Sequence, residues 1–121
     1  IVMERVDDVE LDRASLETEQ VRPILSLILE EMAKAYDLGF VHADMSEYNL
    51  FVGPEGITIF DWPQAVSTDH ENARELLERD VENITAYFRR KYPQQVGEVD
   101  VSTLAGALVT DEFESIDQYL D

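Results

Sequence analysis

The sequence has no cysteine, so disulfides and thiolate chemistry are excluded. Its two histidines, His42 and His70, do not make a zinc site without further soft ligands. Lysine is nearly missing: of nine basic residues only Lys34 and Lys91 are lysines, and the rest are arginine. No apolar run approaches the ~18 residues of a membrane span, and no signal peptide is visible. A cytoplasmic protein with no membrane partner is therefore expected. No internal repeat or low-complexity linker breaks the chain.

Acid is what the sequence has in excess. Twenty-seven Asp and Glu outweigh the nine basic residues and leave a formal net charge of -18. Such a field repels phosphate backbones, so direct nucleic-acid binding by this segment is not expected. The acids are spread along the whole chain. Together with the scarce lysine and a hydrophobic content of 45%, they suggest a salt-adapted protein with a real core, and a haloarchaeal source. A length of 121 residues suits one domain.

The chemistry concentrates between His42 and Gln64, HADMSEYNLFVGPEGITIFDWPQ. Asn49 follows Asp44 by five residues, in the pattern H-x-D-x-x-x-x-N. Two strand-like runs, Leu50-Phe51-Val52 and Ile57-Thr58-Ile59-Phe60, flank the turn signal Gly53-Pro54-Glu55-Gly56. Asp61 closes the second run. A hairpin would bring Asn49 and Asp61 together across twelve residues. One offers a neutral carbonyl oxygen and the other an anionic oxygen, the hard donors that Mg²⁺ takes. Asp44 is then left to accept a proton or orient an attacking group. This is the order of a kinase catalytic loop followed by a metal loop. Any one of these residues alone would read as a cap or turn former; the ordered set is what carries the reading.

Three segments, HADMSEYNL, FDWPQAVST and HENARELLERDVENITAYFRRKYP, resemble the RIO kinases, atypical kinases of ribosome maturation. The Pro-Gln after Asp61 resembles their type 2 subfamily. The resemblance covers residues 1 to about 93. It implies an α+β fold: a mainly helical, protein-kinase-like C-lobe with a small hairpin carrying the catalytic and metal loops. Residues 1–6 would be the last N-lobe strand and hinge, and 7–121 the C-lobe. No Gly-rich phosphate loop occurs anywhere, so the chain is expected to be the C-terminal lobe of a longer protein, with its N-lobe and winged helix missing and negligible turnover alone.

The resemblance implies ATP and Mg²⁺ as cofactors and the maturing small ribosomal subunit as partner. It places Asp44 and Asp61 as catalytic residues and Asn49 and Asp61 on the metal. Met3 would sit beside the adenine pocket, with the backbone of Glu4 and Val6 on the adenine edge, Phe51 as its floor and Ser46 on a phosphate. Ser46 reads equally as a turn former, and Phe51 as ordinary core. His42 is expected to brace the loop from the core. Asp80, beside the apolar stripe of its helix, is expected to bond backbone N–H groups of the catalytic loop; the alternative is a solvated helix acid. Only eight residues separate Asp61 from His70, too few for a long peptide-holding activation segment. That favours a switch-like ATPase or autophosphorylation, with Asp61 accepting the γ-phosphoryl group. The alternatives are a small-molecule phosphotransferase of the aminoglycoside or choline kinase type, and a non-catalytic scaffold module.

Periodicity adds the frame. Val21, Ile24, Leu25, Ile28, Leu29, Met32 and Tyr36 predict a helix from about Glu17 to Leu38, with Pro23 in its first turn and Gly39 as its stop. Leu77, Val81, Ile84 and Phe88 predict a second, from about Glu71 to Lys91, capped by Asp69 or Asn72. Residues 7–15 read as irregular. Val101–Val109 and Glu112–Leu120 read as two short helices.

Overall fold

Two long amphipathic helices set the frame. In the computed structural model, which describes residues 9–11, 16–43, 45, 50–53, 56–59 and 66–120, α1 runs Thr18–Asp37 and α2 runs Ala73–Lys91. The stripe on α1 buries Val21, Leu25, Ile28, Leu29 and Met32, with Ile24 and Tyr36 half-buried beside them. On α2 the stripe Leu77, Val81, Ile84 and Phe88 is buried. These two faces and a third helix, α3 (Val101–Thr110), which packs on both, enclose one apolar core.

The start of α1 corrects one expectation. Glu17 and Gln20 form a reciprocal capping box ahead of Thr18, so Pro23 lies in the second turn rather than the first. There it withholds a helix hydrogen bond from the Glu19 carbonyl, which is tolerable because Pro23 is exposed to water. Gly39 ends the helix at φ +101°, a conformation that L side chains adopt only with strain.

The chain then forms β2 (Phe40–Val41), β3 (Leu50–Gly53), β4 (Gly56–Ile59) and β5 (Val66–Ser67). The hairpin expected from the turn signal is present: β3 and β4 pair antiparallel from Leu50↔Ile59 to Gly53↔Gly56. Its other neighbour corrects the reading of residues 7–15, because Val9–Glu10 is a strand, β1, paired antiparallel with β3. A two-residue strand carries no readable alternation, so sequence pattern missed it. The pairing of β2 with β5 was not expected either; it joins the residues before the H-x-D segment to those after the second loop. Residues 1–6, read as a strand and hinge, lie outside the described residues.

The first of the two expected C-terminal helices is present as α3, and the second, expected over Glu112–Leu120, is cut to one turn. Among the described residues beyond α3, Ile116–Tyr119 alone is helical, as a single 3-10 turn. Ser115 and Gln118 form its capping box, and Ser26 of α1 takes the Ile116 amide at 3.0 Å. Asn72 does occupy the cap position of α2, but its side chain makes no capping bond; its amide donates to His70 Nδ1 instead. Among the described residues no helix is long and apolar enough to cross a membrane.

Candidate active site

The site is built on the turn after β2. Val41 and His42 are both buried, so the chain enters the loop from the core. Ala43 then takes a left-handed conformation, φ 70°, which costs an L-residue roughly 1–2 kcal/mol. Met45 returns to the core and is fully buried. This backbone would leave its amides without partners in an apolar interior, and α2 supplies them.

Asp80 is the supplier. It is only 2% exposed, one step off the apolar stripe of α2. Its Oδ2 accepts the Ala43 amide at 2.7 Å and its Oδ1 the Met45 amide at 3.0 Å. Both carboxylate oxygens are thereby spent on the loop that flanks position 44. Burial pushes the Asp80 carboxyl above its ordinary value. The two amides pull it back, followed by the nearby His42 and Arg79.

One further residue acts on the peptide unit that follows. Asn83 Nδ2 donates to the Met45 carbonyl at 3.3 Å. Sequence reading passed over Asn83. The signal that pointed to it was its position three residues after Asp80, on the same side of the helix.

His42, Asp80 and the backbone of residues 43 and 45 are thus brought together. Phe51 sits half-buried on β3, its Cα opposite Thr58 on one side and Glu10 on the other. Met3, Glu4, Val6, Asp44, Ser46, Asn49 and Asp61 lie outside the described residues. In sequence, Asn49 precedes Leu50 and Asp61 follows Ile59 by two, and Leu50 pairs with Ile59. Among the described residues no group of His, Cys, Asp or Glu is clustered to hold a metal ion. Two open clefts among the described residues, about 440 and 400 Å³, lie by the start of α1 and beside α3, and neither includes His42, Phe51 or Asp80.

The comparisons with known proteins bear on the whole chain. The family model described as RIO domain matches residues 1–103. The chain belongs to the RIO family. Its match extends past the region of sequence resemblance and into α3. The RIO-type serine/threonine-protein kinase Rio2 of Methanocaldococcus jannaschii is 36% identical over 110 residues, covering 86% of this chain and 41% of that protein. The Rio1 kinase of Haloferax volcanii is 35% identical over 121 residues, covering 97% of this chain and 40% of its own length. A crystal structure of the Rio2 kinase–ADP/Mg²⁺–phosphoaspartate complex from Chaetomium thermophilum superposes with a TM-score of 0.57 and 27% identity, over 93% of this chain and 40% of that one. This RIO domain therefore has a kinase-like fold, mostly helical with a small sheet, and spans about two fifths of the length of these three relatives.

Proposed function

We propose that this chain is the C-terminal lobe of a RIO-type serine/threonine kinase and ATPase of the type 2 subfamily, using ATP and Mg²⁺. The observation that carries the reading is the pair of hydrogen bonds that Asp80 accepts from the amides of Ala43 and Met45, because it fixes the backbone on either side of Asp44 in the H-x-D segment. A solvated helix acid has no reason to be buried with both oxygens committed to one loop.

In this reading Asp44 orients or deprotonates the attacking group. Asp61 accepts the γ-phosphoryl group: a carboxylate oxygen bonds to phosphorus as the bond to the ADP oxygen breaks. Water, losing its proton to Asp44, then hydrolyses the acyl phosphate. Asn49 and Asp61 offer a carbonyl and a carboxylate oxygen, a donor set that suits Mg²⁺. When bound, the ion neutralises charge developing on the phosphates. Phe51 floors the adenine pocket, Ser46 contacts a phosphate, and residues 3–6 form the hinge. An N-terminal lobe outside residues 1–121 completes the phosphate site. The maturing small ribosomal subunit is the partner, in the cytoplasm of a salt-adapted cell. The phosphoaspartate in the Chaetomium complex supports the covalent step by similarity.

The test uses the full-length gene product with ATP, Mg²⁺ and molar KCl. Hydroxylamine-sensitive label that disappears in Asp61→Ala, with turnover lost in Asp44→Ala, is the expected result. Turnover without label removes the covalent step. Neither turnover nor label in wild type sinks the enzyme reading in favour of a scaffold.

A further inference from the structure

Asp80 holds the N–H groups of Ala43 and Met45, but the peptide unit that follows Met45 is a separate plane with its own freedom to turn. The Met45 amide is held by Asp80 Oδ1 at 3.0 Å, and the carbonyl of the same residue is held by Asn83 Nδ2 at 3.3 Å. Both anchors rise from α2, three residues apart, on a helix locked into the core through Leu77, Val81, Ile84 and Phe88. Met45 itself is fully buried. We infer that Asn83 is a second positioning residue for the reaction loop, holding the residue between Asp44 and Ser46 against rotation. The inference rests on the proposed phosphoryl-transfer reading.

The need for a second anchor follows from Ala43. Its left-handed backbone stores strain immediately before Asp44. A strained turn held from one side can relax by rotating the next peptide. Among the described residues Asp80 takes the N–H groups of Ala43 and Met45, which leaves the Met45 carbonyl, in the following peptide unit, able to turn about the Met45 Cα–C bond. A donor on the carbonyl side opposes that rotation. Asn83 suits the task chemically, since its amide donates without adding charge beside Asp80. Its own side chain is exposed and makes no part of the core. Fixing Asp44 within a fraction of an ångström is what the reaction requires of this arrangement.

The test combines two readouts on the full-length protein. The first is amide hydrogen exchange at Ala43 and Met45; the second is steady-state ATP hydrolysis with Mg²⁺. Asn83→Ala replaces a poor helix former by the best one, so its melting temperature should not fall. Exchange at Met45 should nevertheless quicken, and kcat should drop about tenfold with KM for ATP within about twofold of wild type. Asn83→Asp, which faces the Met45 carbonyl with an acceptor, should lose at least as much. Asn83→Gln, which keeps the donor, should recover part of the rate. Unchanged exchange at both amides in Asn83→Ala overturns the inference, as does a kcat equal to wild type in the Ala and Asp variants. A full-length wild type without ATP turnover overturns the functional reading and the catalytic half of this one, while quickened exchange would still uphold the anchoring of Met45.

Discussion

Asp80 Oδ2 accepts the amide of Ala43 at 2.7 Å across 37 residues of sequence, and Ala43 is the described loop residue with a left-handed backbone. The two facts belong together. An alanine adopts φ 70° only when its surroundings repay the strain, and here a buried carboxylate accepts its N–H.

Asp80→Asn tests that exchange directly. The carboxamide is nearly isosteric but has one acceptor where two N–H groups point, so its NH₂ must face either Ala43 or Met45. A buried donor left unmatched costs about 1–3 kcal/mol. The variant should unfold at correspondingly lower urea, and ATP turnover of the full-length protein should fall further than the fraction unfolded explains. A urea midpoint equal to wild type would sink the claim that both bonds matter.

The same residue gives a pH dependence with a definite sign. Burial raises its carboxyl pKa above the ordinary 3.8, so the folded chain holds the proton more tightly than the unfolded chain does. The contribution of this group to stability is full below 3.8 and is lost as pH rises through the folded value. The carboxamide of the Asp80→Asn variant does not titrate, and the other acids cancel in the comparison. The stability advantage of wild type over Asp80→Asn should therefore widen as pH falls from neutral toward 4. Urea titrations of both proteins at a series of pH values decide it; an advantage that narrows on acidification would mean the two amides outweigh burial.

Ala43→Gly isolates the strain. Left-handed backbone costs an L-residue about 1–2 kcal/mol, and glycine's greater freedom in the unfolded chain returns about 0.5–1 of that. A net gain of up to about 1.5 kcal/mol is expected, seen as a melting temperature a few degrees higher. Ala43→Val should move the other way, because a branched Cβ worsens the left-handed clash. Thermal melts giving Val above Gly would contradict the assigned conformation.

How much of this was legible in the sequence depends on what each feature leaves in the side chains. The helices were plain because Leu25, Ile28, Leu77 and Val81 recur at helical spacing and every one of them is buried. The hairpin was plain because Gly53 and Gly56 bracket its turn and are paired in the register. Asp80 was legible only through family resemblance: spacing placed an acid beside an apolar stripe and left burial and solvation open. The conformation of Ala43 left no trace, since alanine favours no left-handed turn. Asn83 was missed because a bond to a carbonyl makes no demand on neighbouring residue types. β1 was missed because ladder hydrogen bonds at Val9 and Glu10 are backbone events. The last segment, read as a helix from Glu112, keeps only the turn that Ser115 can cap.

Two tyrosines, one in α2 and one at its C-terminal cap, tie down the early chain. Tyr87 donates its hydroxyl to the Leu11 carbonyl at 3.1 Å, buried, and the Leu16 amide donates to the Tyr92 hydroxyl at 3.1 Å. Lys91 Nζ also donates to the Tyr87 hydroxyl. Tyr87→Phe keeps the ring and removes the bond, leaving a buried carbonyl without its donor. A loss of about 1–2 kcal/mol in urea stability is expected, with amide exchange quickened in β1. Tyr92→Phe, whose bond is only partly buried, should cost less. Equal losses in the two would show that burial does not set the cost.

Salt should stabilise this chain, because its acids far outnumber its bases. At a net charge of -18 the folded state suffers self-repulsion that unfolding relieves. The ion pairs seen among the described residues, such as Arg22–Asp117 at 3.1 Å and Lys34–Glu31 at 3.5 Å, are solvent-exposed and worth at most about 1 kcal/mol each. Salt that weakens them therefore takes away little. At about 1 M the screening length falls to about 3 Å, which removes most of the repulsion between acids on separate elements. The melting temperature in molar KCl should exceed that in dilute buffer, and most of the rise should come before saturation of screening near 1 M. An unchanged melting temperature would mean that the acids are already balanced by the fold, and would remove the case for salt adaptation.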